Sequence, residues 1–350
     1  MFVASRWAWC SGMRVAVSLA CLSLYIGLLR VDVEAQEKTE RTDRERIILW
    51  LESADPFVDR QLAAVTLHDK TLRRLTEQVP HQSQPAYSVV VSREGKTIAY
   101  LADETAPPEG GLVTWTLYLR SPDELKGKGE SLEMKGATHI AAWSPYDKQL
   151  IVSTQEDGDA KSRQVLVDVK TKAVKDLPLP KSEAPAGSEY FSGHYVTDWS
   201  PDGNWFLTMC VYRDKPEKWH RDMYLVKSDG SAAKRLQHIP FGADGKFSPD
   251  GKRILYIGQH EEDGKAVDQL YVVDVAGGKP IRVSQELNGM LYGHCWSPDG
   301  KRIAYVWDNR ERDDAHESFL MLVGADGKNP QVLTSRKSRG GLGFASPNWR

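Results

Sequence analysis

Cysteine is scarce in this chain of 350 residues, four in all. Cys10 and Cys21 fall in the first thirty residues, which leaves Cys210 and Cys295, too few for a disulfide framework and read here as two buried, hydrophobe-like thiols. They form no CxxC and no Cys/His zinc spacing. An excess of one charge is also missing. Lys and Arg number 46 against 48 Asp and Glu, interspersed and without a basic stripe, so nucleic acid is not an expected partner. There is no GxSxG elbow, HExxH pair, EF-hand loop or phosphate-binding glycine loop, and His260-Glu261-Glu262 lacks a second His. A non-catalytic chain without a cofactor is therefore expected.

The one long apolar run lies at the start. Arg6 and Arg14 precede apolar residues 15–29, and Val33-Glu34-Ala35 before Gln36 has the small-residue spacing of a cleavage site. Residues 1–35 read as a secretory signal peptide, with Met13 an alternative start, and the mature chain is expected in the periplasm or otherwise outside the cytoplasm. The alternative is an uncleaved anchor, although 15–29 is shorter than the ~20 residues that span a bilayer comfortably. Ser18-Leu19-Ala20 is a poor lipobox for Cys21.

From residue 36 onward one phrase recurs at a propeller-blade spacing of about fifty residues. It appears as Ser92-Arg93-Glu94-Gly95-Lys96, Ser144-Pro145-Tyr146-Asp147-Lys148, Ser200-Pro201-Asp202-Gly203-Asn204, Ser248-Pro249-Asp250-Gly251-Lys252 and Ser297-Pro298-Asp299-Gly300-Lys301. Trp143, Trp199, Phe247 and Trp296 precede the last four. Proline presets the first corner of a tight turn, Asp bonds nearby backbone, and Gly takes a positive φ, so each phrase is a hairpin turn. Alternation follows it, as in Arg302-Ile303-Ala304-Tyr305-Val306, the period of a strand with one face buried.

Read from Lys252, one unit has a strand at 253–258, a charged loop at 259–268, a strand at 269–275, a third at 280–284 and a fourth at 289–296, which is the content of a propeller blade. Asp43 to Ile48 resembles the post-turn strand without its aromatic-Ser-Pro half, and Phe344-Ala345-Ser346-Pro347-Asn348-Trp349 supplies that half at the other end. The expectation is an all-β fold: residues 36–350 as a six-bladed propeller of four-stranded antiparallel blades, closed by the C-terminal strand and monomeric.

The phrase from Trp296 to Tyr305, with a later D-x-x-G-G-K-P, resembles the TolB-type (PD40, WD40-like) repeat family over nearly all of residues 36–350. The resemblance implies the ring, and it implies function only weakly, because the same repeat occurs in Tol-system periplasmic proteins and in propeller domains of prolyl-oligopeptidase-like and tricorn-like peptidases. The expected chain departs from both, lacking TolB's additional N-terminal α/β domain and the peptidases' hydrolase domain.

If the Ser-Pro-Asp-Gly turns share one face of the disc, the other face collects residues 103–111, 156–163, 212–222, 260–268, 307–318 and the crossover 177–193. Loops on a rigid scaffold are where binding resides. Two of them mix aromatic and charged groups, which makes Arg213, Trp219, His220, Trp307, Arg310 and His316 the binding candidates, for a protein, a peptide or an envelope polysaccharide. The bland reading is a solvated loop with its Trp folded back. The enzymatic alternative is a metal-assisted polysaccharide lyase or hydrolase holding metal through His139, His194 and His294 near the inner strands. His139 and His294 stand an even number of residues before their aromatic markers and His194 an odd number, so alternation sends His194 to the opposite sheet face.

Overall fold

The computed structural model describes residues 45–52, 60–75, 88–102, 114–122, 130–155, 162–180, 187–188, 190–214, 218–240, 242–262, 264–285, 289–309, 316–338 and 344–349. The signal segment and Arg310 lie outside the described residues, and among these no helix is long and apolar enough to cross a membrane.

Blade 1 contains β1 (Arg46–Glu52), β2 (Arg60–Thr66) and β3 (Leu72–Arg74). Blade 2 contains β4 (Val89–Val91), β5 (Ile98–Ala102), β6 (Thr114–Arg120) and β7 (Glu130–Lys135). Blade 3 contains β8 (Ala137–Trp143), β9 (Gln149–Gln155), β10 (Ser162–Asp168) and β11 (Val174–Asp176). Blade 4 adds a short strand: β12 (Tyr190–Phe191) and β13 (Tyr195–Trp199) both pair with β14 (Trp205–Asp214), followed by β15 (Lys218–Lys227) and β16 (Ala233–Pro240). Blade 5 contains β17 (Ala243–Phe247), β18 (Arg253–Glu262), β19 (Lys265–Asp274) and β20 (Ile281–Arg282). Blade 6 contains β21 (Met290–Trp296), β22 (Arg302–Asn309), β23 (His316–Gly324) and β24 (Gln331–Ser338). The last strand, β25 (Phe344–Trp349), pairs antiparallel with β1 and completes blade 1. The fold is thus the expected six-bladed propeller, and β4, β8, β13, β17, β21 and β25 contact one another in cyclic order around its centre.

Besides the fifth strand of blade 4, the strand boundaries differ from the sequence reading in two ways. The repeat and the blade are offset by one strand, so β21 is the innermost strand of blade 6 rather than the fourth of blade 5. The charged stretch 259–268 is mostly paired strand, since β18 and β19 remain in register out to Glu262 opposite Lys265. β14 and β15 likewise pair out to Asp214 opposite Lys218. Pairing satisfies the backbone of these outer arms, while exposed positions such as Glu261, Ala266 and Asp268 leave no buried face to impose alternation.

Nearer the centre both sheet faces are buried, not one. In β22, Ile303 and Tyr305 pack with Leu255, Leu270 and Val272 of blade 5, while Ala304 and Val306 pack with Ile47, Leu49 and Phe344 of blade 1. Each blade-to-blade junction has such a cluster. Propeller strands therefore read as nearly continuous apolar runs over their inner half, each fully buried Ile or Leu contributing about 1.5–3 kcal/mol.

The repeated turns also interlock. In each Ser-Pro-Asp-Gly turn the Ser hydroxyl donates to the Asp carboxylate at 2.6 Å (Ser200–Asp202, Ser248–Asp250, Ser297–Asp299). The same oxygen accepts the backbone N–H five residues on, from Trp205, Arg253 and Arg302. Gly203, Gly251 and Gly300 take φ of +78°, +70° and +67°. Their Cα faces sit against Pro145, Pro201 and Pro249 of the preceding turn, so Pro and Gly mesh from blade to blade. Pro298 follows Ser297 in the last of these turns. In the second turn Asp147 itself takes the left-handed φ of +54°, and its carboxylate accepts the N–H groups of Arg93 and Glu94 from blade 2.

Candidate functional site

The arm pair β14–β15 carries three of the sequence candidates together. Arg213 lies opposite Trp219 and Tyr212 opposite His220 in the ladder. The Arg213 guanidinium carbon stands 5.5 Å from the centroid of the Trp219 ring, and Tyr190 of β12 meets the ring edge-on at 5.5 Å. Trp219 still exposes 51% of its surface. The His220 ring stacks on Tyr212 at 4.7 Å, and its Nε2 lies 2.8 Å from Asp214 Oδ2. A two-stranded ladder with stacked side chains on it holds an aromatic group in place far better than a free loop does.

Of the candidates on the other arm, only Trp307 has a described side chain. Trp307 is half-buried against Phe319, ring centroids 5.1 Å apart, and packs on the blade 5–6 core. His316 is the first residue of β23. The bland reading therefore suits Trp307, whereas Trp219 is not folded back.

The three histidines separate. His139 and His294 line the central channel. His194 precedes β13, where its Nδ1 lies 2.9 Å from Thr208 Oγ1 and 3.3 Å from Cys210 Sγ, with the ring edge-on to Tyr224. Counting residues by alternation does not account for this separation, because the register shifts between His139 and Trp143 and between His194 and Trp199. Bulges interrupt β8, β13, β17, β21 and the β1–β25 pairing, and a bulge re-aims the side chains beside it. Among the described residues no three His, Cys, Asp or Glu side chains group as a metal site requires. Cys210 and Cys295 are both free, and burial, with Asp222 nearby, pushes the Cys210 thiol up to about 12.

The channel groups that sequence reading missed are Asp244 and Lys246 of β17, together with Ser88. Ser88 Oγ accepts the N–H of Ile140 and bonds His139 Nδ1, and Tyr195 stacks on the His139 ring at 6.3 Å. Lys246 Nζ donates to Thr197 O at 2.8 Å and stands 3.9 Å from Asp244 Oδ1. His294 Nδ1 is 3.8 Å from Asp244 Oδ2. Burial drives His139 down to about 4, with Lys246 adding to the effect against the opposing pull of Asp244. Burial lowers His294 as well, again opposed by Asp244. Burial pulls the Asp244 carboxyl up, but Lys246 and the two histidines outweigh it and hold it below its ordinary value. The signal available in sequence was position alone: Asp244 and Lys246 stand just before Phe247, the aromatic that opens the fourth recurrence of the turn phrase.

Among solved structures the chain is similar to TolB from Acinetobacter baumannii, at 19% identity over 88% of this chain and 67% of that one, with a TM-score of 0.62. It is also similar to a chain of a nidogen/laminin complex, at 9% identity over 87% and 98% of the two chains, with a TM-score of 0.52. At these identities the likeness shows a shared propeller fold. No family model matches the chain, and no curated protein matches it in sequence.

Proposed function

We propose that this chain is an exported, non-catalytic propeller that binds a protein or peptide partner, with envelope polysaccharide as the alternative ligand, on the face from which the β14–β15 arms project. The observation that carries the reading is Trp219, half exposed yet held between Arg213 and Tyr190 on a paired ladder. Trp, Tyr and Arg dominate interface energetics, and an anchor that is already ordered loses little conformational freedom on binding. The TolB-type turn phrase and the fold likeness to TolB support kinship with that repeat family, and the leader-like pattern of residues 1–35 supports export.

The test compares capture from an envelope extract by three immobilised forms: the wild type, the Arg213→Ala/Trp219→Ala double variant, and a Lys252→Ala/Lys301→Ala control altered on the turn face. Loss of a specific set of captured molecules only in the Arg213/Trp219 variant, with the fold intact and a stability loss of no more than about 1–2 kcal/mol from the removed ring contacts, is the expected result. Identical capture by all three forms would sink the proposal.

A further inference from the structure

The polar groups of the channel take no part in the Trp219 face and call for their own explanation. His294 has a side chain that is 0% exposed, and neither ring nitrogen meets a partner at full hydrogen-bond geometry, although the Asp244 backbone bears on the ring. Buried polar atoms in native folds are nearly always satisfied, so an orphan of this kind needs a reason. Asp244 sits at φ +48° beside the β17 bulge, a left-handed backbone position that aims its carboxylate at the channel, where the side chain remains 43% exposed. Two charged or titratable neighbours, Lys246 Nζ at 3.9 Å and His294 Nδ1 at 3.8 Å, are both beyond hydrogen-bonding distance. Three groups thus surround one space without completing one another.

We infer that the central channel holds a second binding site, for a neutral polyhydroxylated ligand such as a single saccharide residue, formed by Asp244, Lys246, His139 and His294. Charge selects this class. The charged residues lining the cavity are Arg93 and Lys246 against Asp198 and Asp244, a net charge of zero with both histidines neutral. Three of the four already have protein partners: Arg93 donates to Trp199 O, Asp198 accepts from Phe247 N, and Lys246 donates to Thr197 O. An anion would meet Asp244 and a cation would meet Lys246, so neither gains from the balance.

A hydroxyl group donates and accepts at once, which suits a carboxylate beside an ammonium, with the His294 imidazole offering one donor and one acceptor and His139 offering its Nε2, since Ser88 holds its Nδ1. The depressed basicity of His139 and His294 keeps them in that neutral form at pH 7. The cavity encloses about 180 Å³, below the roughly 300–1,000 Å³ of sites for drug-sized ligands and suited to one ring. Trp143 and Trp296 contribute apolar lining.

The experiment titrates the full chain with methyl glycosides of glucose, galactose, mannose and N-acetylglucosamine, reading the ring signals of His139 and His294 by NMR. Galacturonate and Mn²⁺ serve as charged probes, and glycine, counted with them, as a zwitterion that carries both charges. At least one neutral glycoside is expected to shift the His294 signals saturably, and Asp244→Asn and Lys246→Met each to weaken that binding at least about tenfold, the loss of one charge-assisted hydrogen bond. Trp219→Ala should leave it unchanged, which separates this site from the proposed partner face. A further variant guards against a merely structural role: His294→Phe should abolish the shift on His139 while keeping or raising the melting temperature, because it removes an unpartnered polar group. The inference is overturned if no neutral glycoside shifts either histidine, if only a charged probe does, or if His294→Phe lowers the melting temperature.

Discussion

At the scale of single residues, His139 shows how the ring alters ordinary chemistry. Inner strands surround its imidazole, Ser88 engages Nδ1 and Tyr195 covers one face, while Lys246 and Asp244 are the charges that bear on it. The outcome is a base lowered from 6.5 to about 4. Because the unfolded chain takes up the proton near 6.5 and the folded chain only near 4, the unfolded state binds more protons across that window. Stability contributed by this residue is therefore intact above pH 6.5 and declines as pH falls toward 4, by about 3 kcal/mol in total. An NMR titration of the His139 ring with a midpoint near 4, and a flatter stability profile in His139→Gln, are the expected results. A midpoint near 6.5 would mean the channel is wetter than its geometry implies.

At the scale of elements, the repeated turn is the unit that carries both register and inter-blade contact. Gly251 takes φ +70°, and a Cβ added there would meet Pro201 Cδ at 3.4 Å, an ordinary contact. The cost of Gly251→Ala is then backbone strain, about 1–2 kcal/mol, rather than a clash. Gly251→Asn should cost less, because Asp147 occupies the equivalent position at φ +54° and polar residues with short side chains tolerate it. Urea unfolding of the two variants checks the order; equal losses would place the cost in packing against Pro201. The turn was legible in sequence because its residues act locally, through the Ser-to-Asp bond and the positive φ. The outer arms were not legible as strands, since alternation marks a strand only where one face is buried, and Glu261 and Asp268 face water on a paired ladder. Asp244 and Lys246 were missed for a different reason: Gly242-Ala243-Asp244-Gly245-Lys246 has the composition of a turn, and only ring closure brings β17 beside His139 and His294.

At the scale of the whole molecule, stability depends on how the ring is closed. Trp349 of β25 is 0% exposed within the blade 6–1 core and donates its indole N–H to Glu45 Oε1 at 3.0 Å. Arg302 of blade 6 lies 4.7 Å over the same ring and donates to the same Glu45 oxygen at 2.7 Å. Asn348 reaches onward to blade 2, donating to Val89 O at 2.8 Å and accepting from Val91 N at 3.4 Å. One short strand therefore joins three blades. In an open array of repeats each unit depends only on its neighbours, so damage at one junction is felt locally. In a closed ring, loss of the closing strand frees β1 as an exposed edge and removes one face of the blade 6 core together. Trp349→Ala should therefore cost about 3–5 kcal/mol, as truncation of a buried Trp does. It should also lower a single cooperative transition rather than split it, and speed amide exchange in β1 and β22 together. Arg302→Ala removes the cation–π contact and the ion pair with Glu45, and should cost about 1–2 kcal/mol with no change in cooperativity. Differential scanning calorimetry with hydrogen exchange on both variants decides the matter. A biphasic melt in Trp349→Ala, with blades 3 to 5 unaffected, would show that the ring behaves as a chain of independent blades and that closure is not its stabilising principle.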